Sequence, residues 1–148
     1  MRSVDTRELN AADAKAIAAV FAASRAASMP WLPVLHSSQE DCDYFAEQLG
    51  SCTGVEVFQG EALVGFAIAH PGWLDHLYVA PDLRGLGIGS ALVTAVRRRV
   101  PGALSLWVFA RNIAALGFYH RLGAVEEERT GGAGNEEHEP DVRLLLPA

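Results

Sequence analysis

Three glycines at alternate positions, Gly85, Gly87 and Gly89, stand between an apolar segment and a helical pattern. The apolar segment ends before Pro81, and apolar residues at helical spacing begin at Leu92. Glycines at a helix start let a ligand approach the backbone closely and leave the first N–H groups pointing at it. Those donors and the positive end of the helix dipole bind anions, above all phosphate. The segment therefore predicts a diphosphate site.

The spacing of the glycines distinguishes between kinds of nucleotide site. A P-loop requires Lys and then Ser or Thr after its last glycine, whereas Ser90 and Ala91 follow Gly89 here. A dinucleotide-binding fingerprint requires a third glycine where Leu92 stands, and a βαβ unit around it. The first pattern is absent and the second is weak.

Two motifs, taken in their order along the chain, resemble the signature segments of one known family. Arg84-x-x-Gly87-x-Gly89 after a strand resembles the acetyl-CoA signature of the GNAT superfamily of N-acetyltransferases, Arg/Gln-x-x-Gly-x-Gly/Ala. Downstream, Asn112-Ile-Ala-Ala-Leu-Gly-Phe-Tyr-His-Arg-Leu-Gly123 resembles the family segment that follows the fifth strand. In this segment the asparagine is a good helix N-cap and the last glycine suits a helix end. The resemblance covers nearly the whole chain.

This resemblance implies a site for acetyl-CoA as co-substrate. In the family the pantetheine arm lies between two splayed strands and hydrogen-bonds the backbone of one of them, which corresponds here to the segment from Leu77 to Val79. The resemblance implies that the N–H of Val79 polarises the thioester carbonyl. Tyr119 matches the tyrosine that protonates the departing thiolate, and Asn112 matches the asparagine that binds the arm. The implied cofactor-binding residues are Leu77, Tyr78, Val79, Arg84, Gly85, Leu86, Gly87, Ile88, Gly89, Ser90, Asn112 and Tyr119.

The reaction also requires a base that deprotonates the amine. Regular alternation along a strand would place Trp73, Asp75, Leu77 and Val79 on one face and His76 on the other. Positions matching Trp73 and Asp75 carry basic side chains in some family members, so Asp75 is the first candidate. The alternative for Asp75 is a structural carboxylate. For His76 the two interpretations are a proton relay and a core histidine.

Neither covalent catalysis nor a metal is expected. The chain has no G-x-S-x-G motif, and Cys42 and Cys52 have no activating motif, so the amine should attack directly. The histidines are scattered, with no H-E-x-x-H or similar spacing, which predicts no metal. Two cysteines of this kind indicate small buried side chains in a reducing cytoplasm.

The acceptor side is less well determined. In the family it is lined by the first two helices with their loop and by the connection between the last two strands. Trp31 would form an apolar wall, and Glu137 would attract an ammonium group. The alternative is that Trp31 is a buried anchor and that Glu137 belongs to a solvated acidic loop. Arg25 or His36 would instead bind a carboxylate. The candidate substrate residues are Trp31, His36, Trp73 and Glu137.

The elements that must position these residues follow from periodicity and turn signals. Strands are predicted at residues 4–9, 54–59, 62–70, 73–79, 105–109, 124–129 and 142–146. Helices are predicted from residue 10 or 13 to 27, from 37 to 50, from the glycines to 100, and over 113–122. This order is that of the GNAT fold, an α/β (α+β) class with a mixed, mostly antiparallel twisted sheet of about seven strands. The sheet splays between strands 4 and 5, and four helices flank it.

Composition limits the classes of function. The 148 residues suit one domain, and a net charge of −6 argues against a nucleic-acid partner. No stretch suits a membrane span or a signal peptide, which favours the cytoplasm. We therefore expect an acetyl-CoA-dependent N-acetyltransferase acting on a primary amine of a small molecule or peptide, with homodimers common among relatives. The alternative is a catalytically silent acyl-CoA-binding sensor of the same fold.

Overall fold

The computed structural model describes residues 5–59 and 62–148, with residues 53–59 described by their backbone alone. The predicted first residue of strand 1, Val4, and the predicted turn Gly60-Glu61 lie outside the described residues. The strands are β1 (Asp5–Glu8), β2 (Thr53–Gln59), β3 (Ala62–His70), β4 (Trp73–Val79), β5 (Leu104–Phe109), β6 (Val125–Thr130) and β7 (Asp141–Leu146). The helices are α1 (Ala14–Ser28), α2 (Ser38–Ser51), α3 (Ile88–Arg99) and α4 (Ile113–Arg121).

The strands form one seven-stranded sheet in the order β1-β2-β3-β4-β5-β7-β6. Every neighbouring pair is antiparallel except β4 and β5, which are parallel. These two strands pair at a single position, Trp73 with Ser105. Beyond it they diverge, so the sheet contains a wedge-shaped gap. The predicted fold class, element order and splay are confirmed.

Local signals fix the helix ends where the sequence predicts them. The Ser37 side chain accepts a hydrogen bond from the Glu40 N–H at 3.1 Å, and Glu40 accepts one from the Ser37 N–H at 2.9 Å, which is a capping box. After α4, Gly123 is in the left-handed region with φ = 92°. The Ala124 N–H donates to the Tyr119 carbonyl at 3.0 Å, which completes a Schellman motif.

Each face of the sheet carries its own apolar core. On one face α1 and α2 pack against the sheet around Ile17, Phe45 and Ile68. On the other, α3 and α4 pack around residues such as Leu92 and Leu104. These side chains are fully buried, and burial of each contributes roughly 2 kcal/mol of transfer free energy. In the described part of the chain, no helix has the length and apolar character needed to cross a bilayer.

A β-bulge in β4 corrects one prediction. Ile68 of β3 pairs with His76 and the next residue, Ala69, pairs with Leu74, so Asp75 is an extra residue in β4. The alternation of side chains shifts by one there: Leu74 packs in the same core as Leu77 and Val79. The prediction that Trp73, Asp75, Leu77 and Val79 share one face is therefore wrong.

Candidate active site

Three cavities adjoin one another across the molecule. The cofactor cleft, about 440 Å³, lies between the start of α3 and α4. The central cleft, also about 440 Å³, occupies the gap between β4 and β5. The loop pocket, about 290 Å³, lies between α1 and the loop of residues 29–36. Tyr78, Asn112 and Tyr119 line both clefts, and Arg25 and Met29 line both the central cleft and the loop pocket. Neighbouring cavities therefore share a wall.

The predicted diphosphate site lies at the start of α3, in the cofactor cleft. Gly85 and Gly87 have φ values of 80° and 81°, which strongly favour glycine, and Gly87 is the N-cap of the helix. The first N–H groups of α3 have no carbonyl to bind within the helix. Of the predicted cofactor-binding residues in this segment, Leu86 is absent from the cleft lining and is 56% exposed.

Gly89 has a different role from the two glycines before it. A Cβ atom added to Gly89 would lie 3.0 Å from Cζ of Phe118 in α4. The absence of a side chain at Gly89 therefore lets the Phe118 ring pack against the backbone of α3. The two sequence motifs meet at this contact, and together they form the wall of the cofactor cleft.

The backbone of β4 offers hydrogen-bonding groups to the central cleft. The Ala80 N–H donates to the Val64 carbonyl at 2.8 Å, so Ala80 faces β3. Successive residues of an antiparallel pair face the partner strand and then face away. The N–H and C=O groups of Leu77 and Val79 consequently point toward the gap, where an extended amide chain can bind as an added strand.

Tyr119 and Asn112 lie where the two clefts join. Tyr119 is 7% exposed, and burial raises the pKa of its hydroxyl well above the ordinary value, so it is protonated at neutral pH. The Asn112 side chain caps α4 by accepting the Ala115 N–H at 3.2 Å, as predicted. Because its oxygen serves the cap, its NH₂ group is the part that can donate to a ligand.

The profile of the Acetyltransferase (GNAT) family matches residues 18–124, a range that includes both motifs and both walls of the cofactor cleft. The chain belongs to this family. Solved structures of GNAT proteins share its fold. Apo YjaB from Escherichia coli superposes with a TM-score of 0.79 at 23% identity over 98% of both chains. PaiA N-acetyltransferase from Thermoplasma acidophilum, in complex with coenzyme A, gives 0.78 at 16% identity over 99% of this chain and 100% of that one.

Curated relatives match part of this GNAT chain. Peptidyl-lysine N-acetyltransferase YjaB of Salmonella typhimurium is 38% identical over 69 residues, which are 47% of this chain and 47% of that protein. An uncharacterized N-acetyltransferase of Methanocaldococcus jannaschii is 33% identical over 84 residues, covering 47% of this chain and 37% of that protein. The chain spans less than half the length of these relatives.

The bulge brings Asp75 of this GNAT protein against a partner that the sequence analysis missed. Asp75 lines the central cleft, and its Oδ2 lies 2.6 Å from Nδ1 of His70. His76 lies in the aromatic core, where burial lowers its pKa to about 4, and its Nε2 is 2.8 Å from the Tyr44 hydroxyl. Of the two interpretations of His76, this environment fits a neutral core histidine. A bulge has no local sequence signal, so the His70 contact could not be predicted.

Arg25 separates the central cleft from the loop pocket. Its guanidinium lies 4.5 Å from the Phe21 ring centroid and within hydrogen-bond distance of Tyr78 and Glu137. Burial alone would lower the pKa of Arg25, but Tyr78 and Glu137 outweigh it and raise that pKa above its ordinary value. Arg25 is therefore a permanent cation whose charge is already compensated by Glu137.

The structure brings two of the four predicted substrate residues together. His36 and Glu137 both line the loop pocket. A 2.6 Å contact with Glu136 raises the pKa of the exposed His36 imidazole. Trp31 and Trp73 line none of the three cavities. The Trp31 ring packs against Phe109 and beneath Arg111, and Trp73 lies at the closed end of the strand gap.

Proposed function

We propose that this chain is an acetyl-CoA-dependent N-acetyltransferase that acts on a primary amine, with one catalytic domain over residues 1–148. The observation that carries the proposal is the junction of the two clefts at Tyr119, a buried hydroxyl between a helix start suited to phosphate and an open strand edge. Family membership supports the cofactor. A module that only binds acyl-CoA would not require a proton donor at this junction.

The residues present fit acetyl-CoA. The amides from Gly87 to Ser90 would bind its diphosphate, and the left-handed Gly85 and Gly87 leave open space beside them, since nothing lies within 4 Å of an added Cβ at either position. The edge of β4 at Leu77 and Val79 would bond the pantetheine amides. Arg84 lines the same cleft and supplies a cation at its rim.

The proposed mechanism is direct transfer. Asp75, oriented by His70, accepts the ammonium proton through a water molecule, and the free amine attacks the thioester carbonyl carbon. The Val79 N–H donates to the carbonyl oxygen as negative charge develops on it. The carbon–sulfur bond then breaks, the Tyr119 hydroxyl protonates the departing thiolate, and the proton that the acetylated nitrogen loses returns to Tyr119. The products are an amide and free coenzyme A.

The loop pocket is the proposed acceptor site. Its wall is largely apolar, from residues such as Phe21 and Leu32. Its charged groups are the Arg25–Glu137 pair, His36 at the exposed rim, and Asp41. Burial raises the pKa of the Asp41 carboxyl, because the charged form is less well solvated there. A cationic ligand would stabilise the charged form of this carboxyl. This combination favours a primary amine on an apolar chain, and the peptidyl-lysine activity of the matched YjaB relative supports a peptide lysine as one candidate.

Two measurements test this function in sequence. Calorimetry should detect acetyl-CoA binding to the whole chain, and its absence at millimolar ligand would contradict both an enzyme and a sensor. A thiol-release screen over small amines, amino acids, aminoglycosides and lysine peptides should then find turnover with at least one acceptor. Binding without turnover across the screen would instead favour the silent sensor.

A further inference from the structure

Three side chains with metal-ligating atoms converge at one end of the sheet, on the face covered by α1 and α2. Cys52 follows the last turn of α2, His70 ends β3, and Asp75 is the bulged residue of β4. One ligand atom from each lies within 4.8 Å of the other two. All three residues are partly buried, so the site is accessible from solvent while its side chains are held by three different elements.

We propose that Cys52, His70 and Asp75 form a site for Zn²⁺. Thiolate, imidazole and carboxylate are the three ligand types that zinc takes in proteins, and three protein ligands leave a fourth position for water. Zinc–ligand distances of roughly 2.0 to 2.3 Å in a tetrahedral site place the donor atoms roughly 3.3 to 3.8 Å apart. The widest separations, up to 4.8 Å, must therefore shorten, and the 2.6 Å contact between His70 and Asp75 must open. Because the His70 and Asp75 side chains are 42% and 23% exposed, small rotations suffice. Binding releases the Cys52 thiol proton to solvent.

The surroundings favour a cation. Cys52 caps α2 at its C-terminal end, its N–H donating to the Gln48 carbonyl at 2.8 Å, and this is the negative end of the helix dipole. The Gln48 side-chain oxygen lies 3.6 Å from the Cys52 sulfur, which adds a further oxygen beside the site. The 2.6 Å contact between His70 Nδ1 and Asp75 Oδ2 already brings two of the three ligands together.

Sequence spacing could not predict this site, because the intervals between residues 52, 70 and 75 match no metal motif. Occupancy would also have a consequence for catalysis. Asp75 lines the central cleft, so a bound zinc ion would remove it as a base and slow acetyl transfer. That consequence rests on the proposed function, whereas zinc binding itself does not.

The test is zinc binding to the whole chain, with thiols reduced and without acetyl-CoA. Competition with a chromophoric chelator should give one Zn²⁺ per chain. Cys52→Ser and His70→Gln should each weaken binding by at least about tenfold, as expected when a metal site loses one ligand or its support. Cys42→Ser is the matched control, since it removes the other free thiol, which lies on α2, and should leave the affinity unchanged.

Cobalt substitution provides a second measurement that depends on no variant. Co²⁺ bound to the wild-type chain should give a thiolate-to-metal charge-transfer band in the near ultraviolet. Absence of that band, equal zinc affinity in Cys52→Ser and wild type, or loss of binding in Cys42→Ser would each overturn the proposal. Since none of these measurements involves turnover, an inactive enzyme would leave their outcome unaffected.

Discussion

The Nε atom of Arg25 donates a hydrogen bond to the Tyr78 hydroxyl across 3.3 Å and thereby ties α1 to β4. The same guanidinium lies 3.3 Å from Glu137 in the segment that leads into β7. One charged side chain thus connects three elements that enclose the central cleft and the loop pocket. Its position makes it a structural bridge between the reaction centre and the proposed acceptor site.

Arg25→Gln should lower the free energy of unfolding by about 3 kcal/mol, because it leaves the largely buried Glu137 carboxylate without its cation. Urea denaturation measures this loss, and the double variant with Glu137→Gln should recover part of it. Arg129→Gln breaks an exposed pair with Glu126 and should change the free energy of unfolding far less. An equal loss in Arg25→Gln and Arg129→Gln would contradict the bridging role.

Gly87→Ala should weaken acetyl-CoA binding by about tenfold, comparable to the loss of one hydrogen bond to a charged group. Gly102→Ala is a matched control, since Gly102 also has a positive φ, 100°, but lies beyond the other end of α3. Both changes force alanine into the left-handed region and should cost about 1 to 2 kcal/mol of stability. Calorimetry on the two variants separates strain from ligand contact: equal affinities would place the diphosphate elsewhere.

Tyr119→Phe should reduce kcat by about 100-fold while the Kd for acetyl-CoA changes little, because the hydroxyl acts on the leaving thiolate. Steady-state thiol release and calorimetry provide the two quantities. Tyr44→Phe is a suitable control, since it removes a hydroxyl that contacts His76 and lines none of the three cavities. Unchanged kcat in Tyr119→Phe would exclude this tyrosine as the proton donor.

Stability should fall as the pH drops from 6.5 toward 4. The His76 imidazole has a pKa of about 4 in the fold, against an ordinary value of 6.5, so the unfolded chain binds more protons between these two values. The loss should approach about 3 kcal/mol by pH 4. His76→Gln should flatten this part of the profile, whereas His120→Gln, at an exposed position, should leave it intact. Parallel profiles for wild type and His76→Gln would refute the assignment.

Much of the fold could be predicted because its signals are local. The Ser37 cap, the Asn112 cap and the Gly123 helix end depend on residues within one turn, and the strands follow from short apolar runs. The features that escaped prediction depend on pairing between distant segments. The bulge at Asp75 exists only in the β3–β4 register, and it redirects side chains that simple alternation placed incorrectly. The position of Trp31 beneath Arg111 likewise depends on how a loop packs against the end of β5.

The central claim is that the start of α3 binds the diphosphate of acetyl-CoA, and amide-resolved NMR titration tests it most directly. On adding acetyl-CoA to the ¹⁵N-labelled chain, the largest shifts should occur at the amides of Gly85 to Ser90, followed by Leu77 and Val79. Saturable shifts that centre on another surface, with the amides of Gly85 to Ser90 unmoved, would contradict the account.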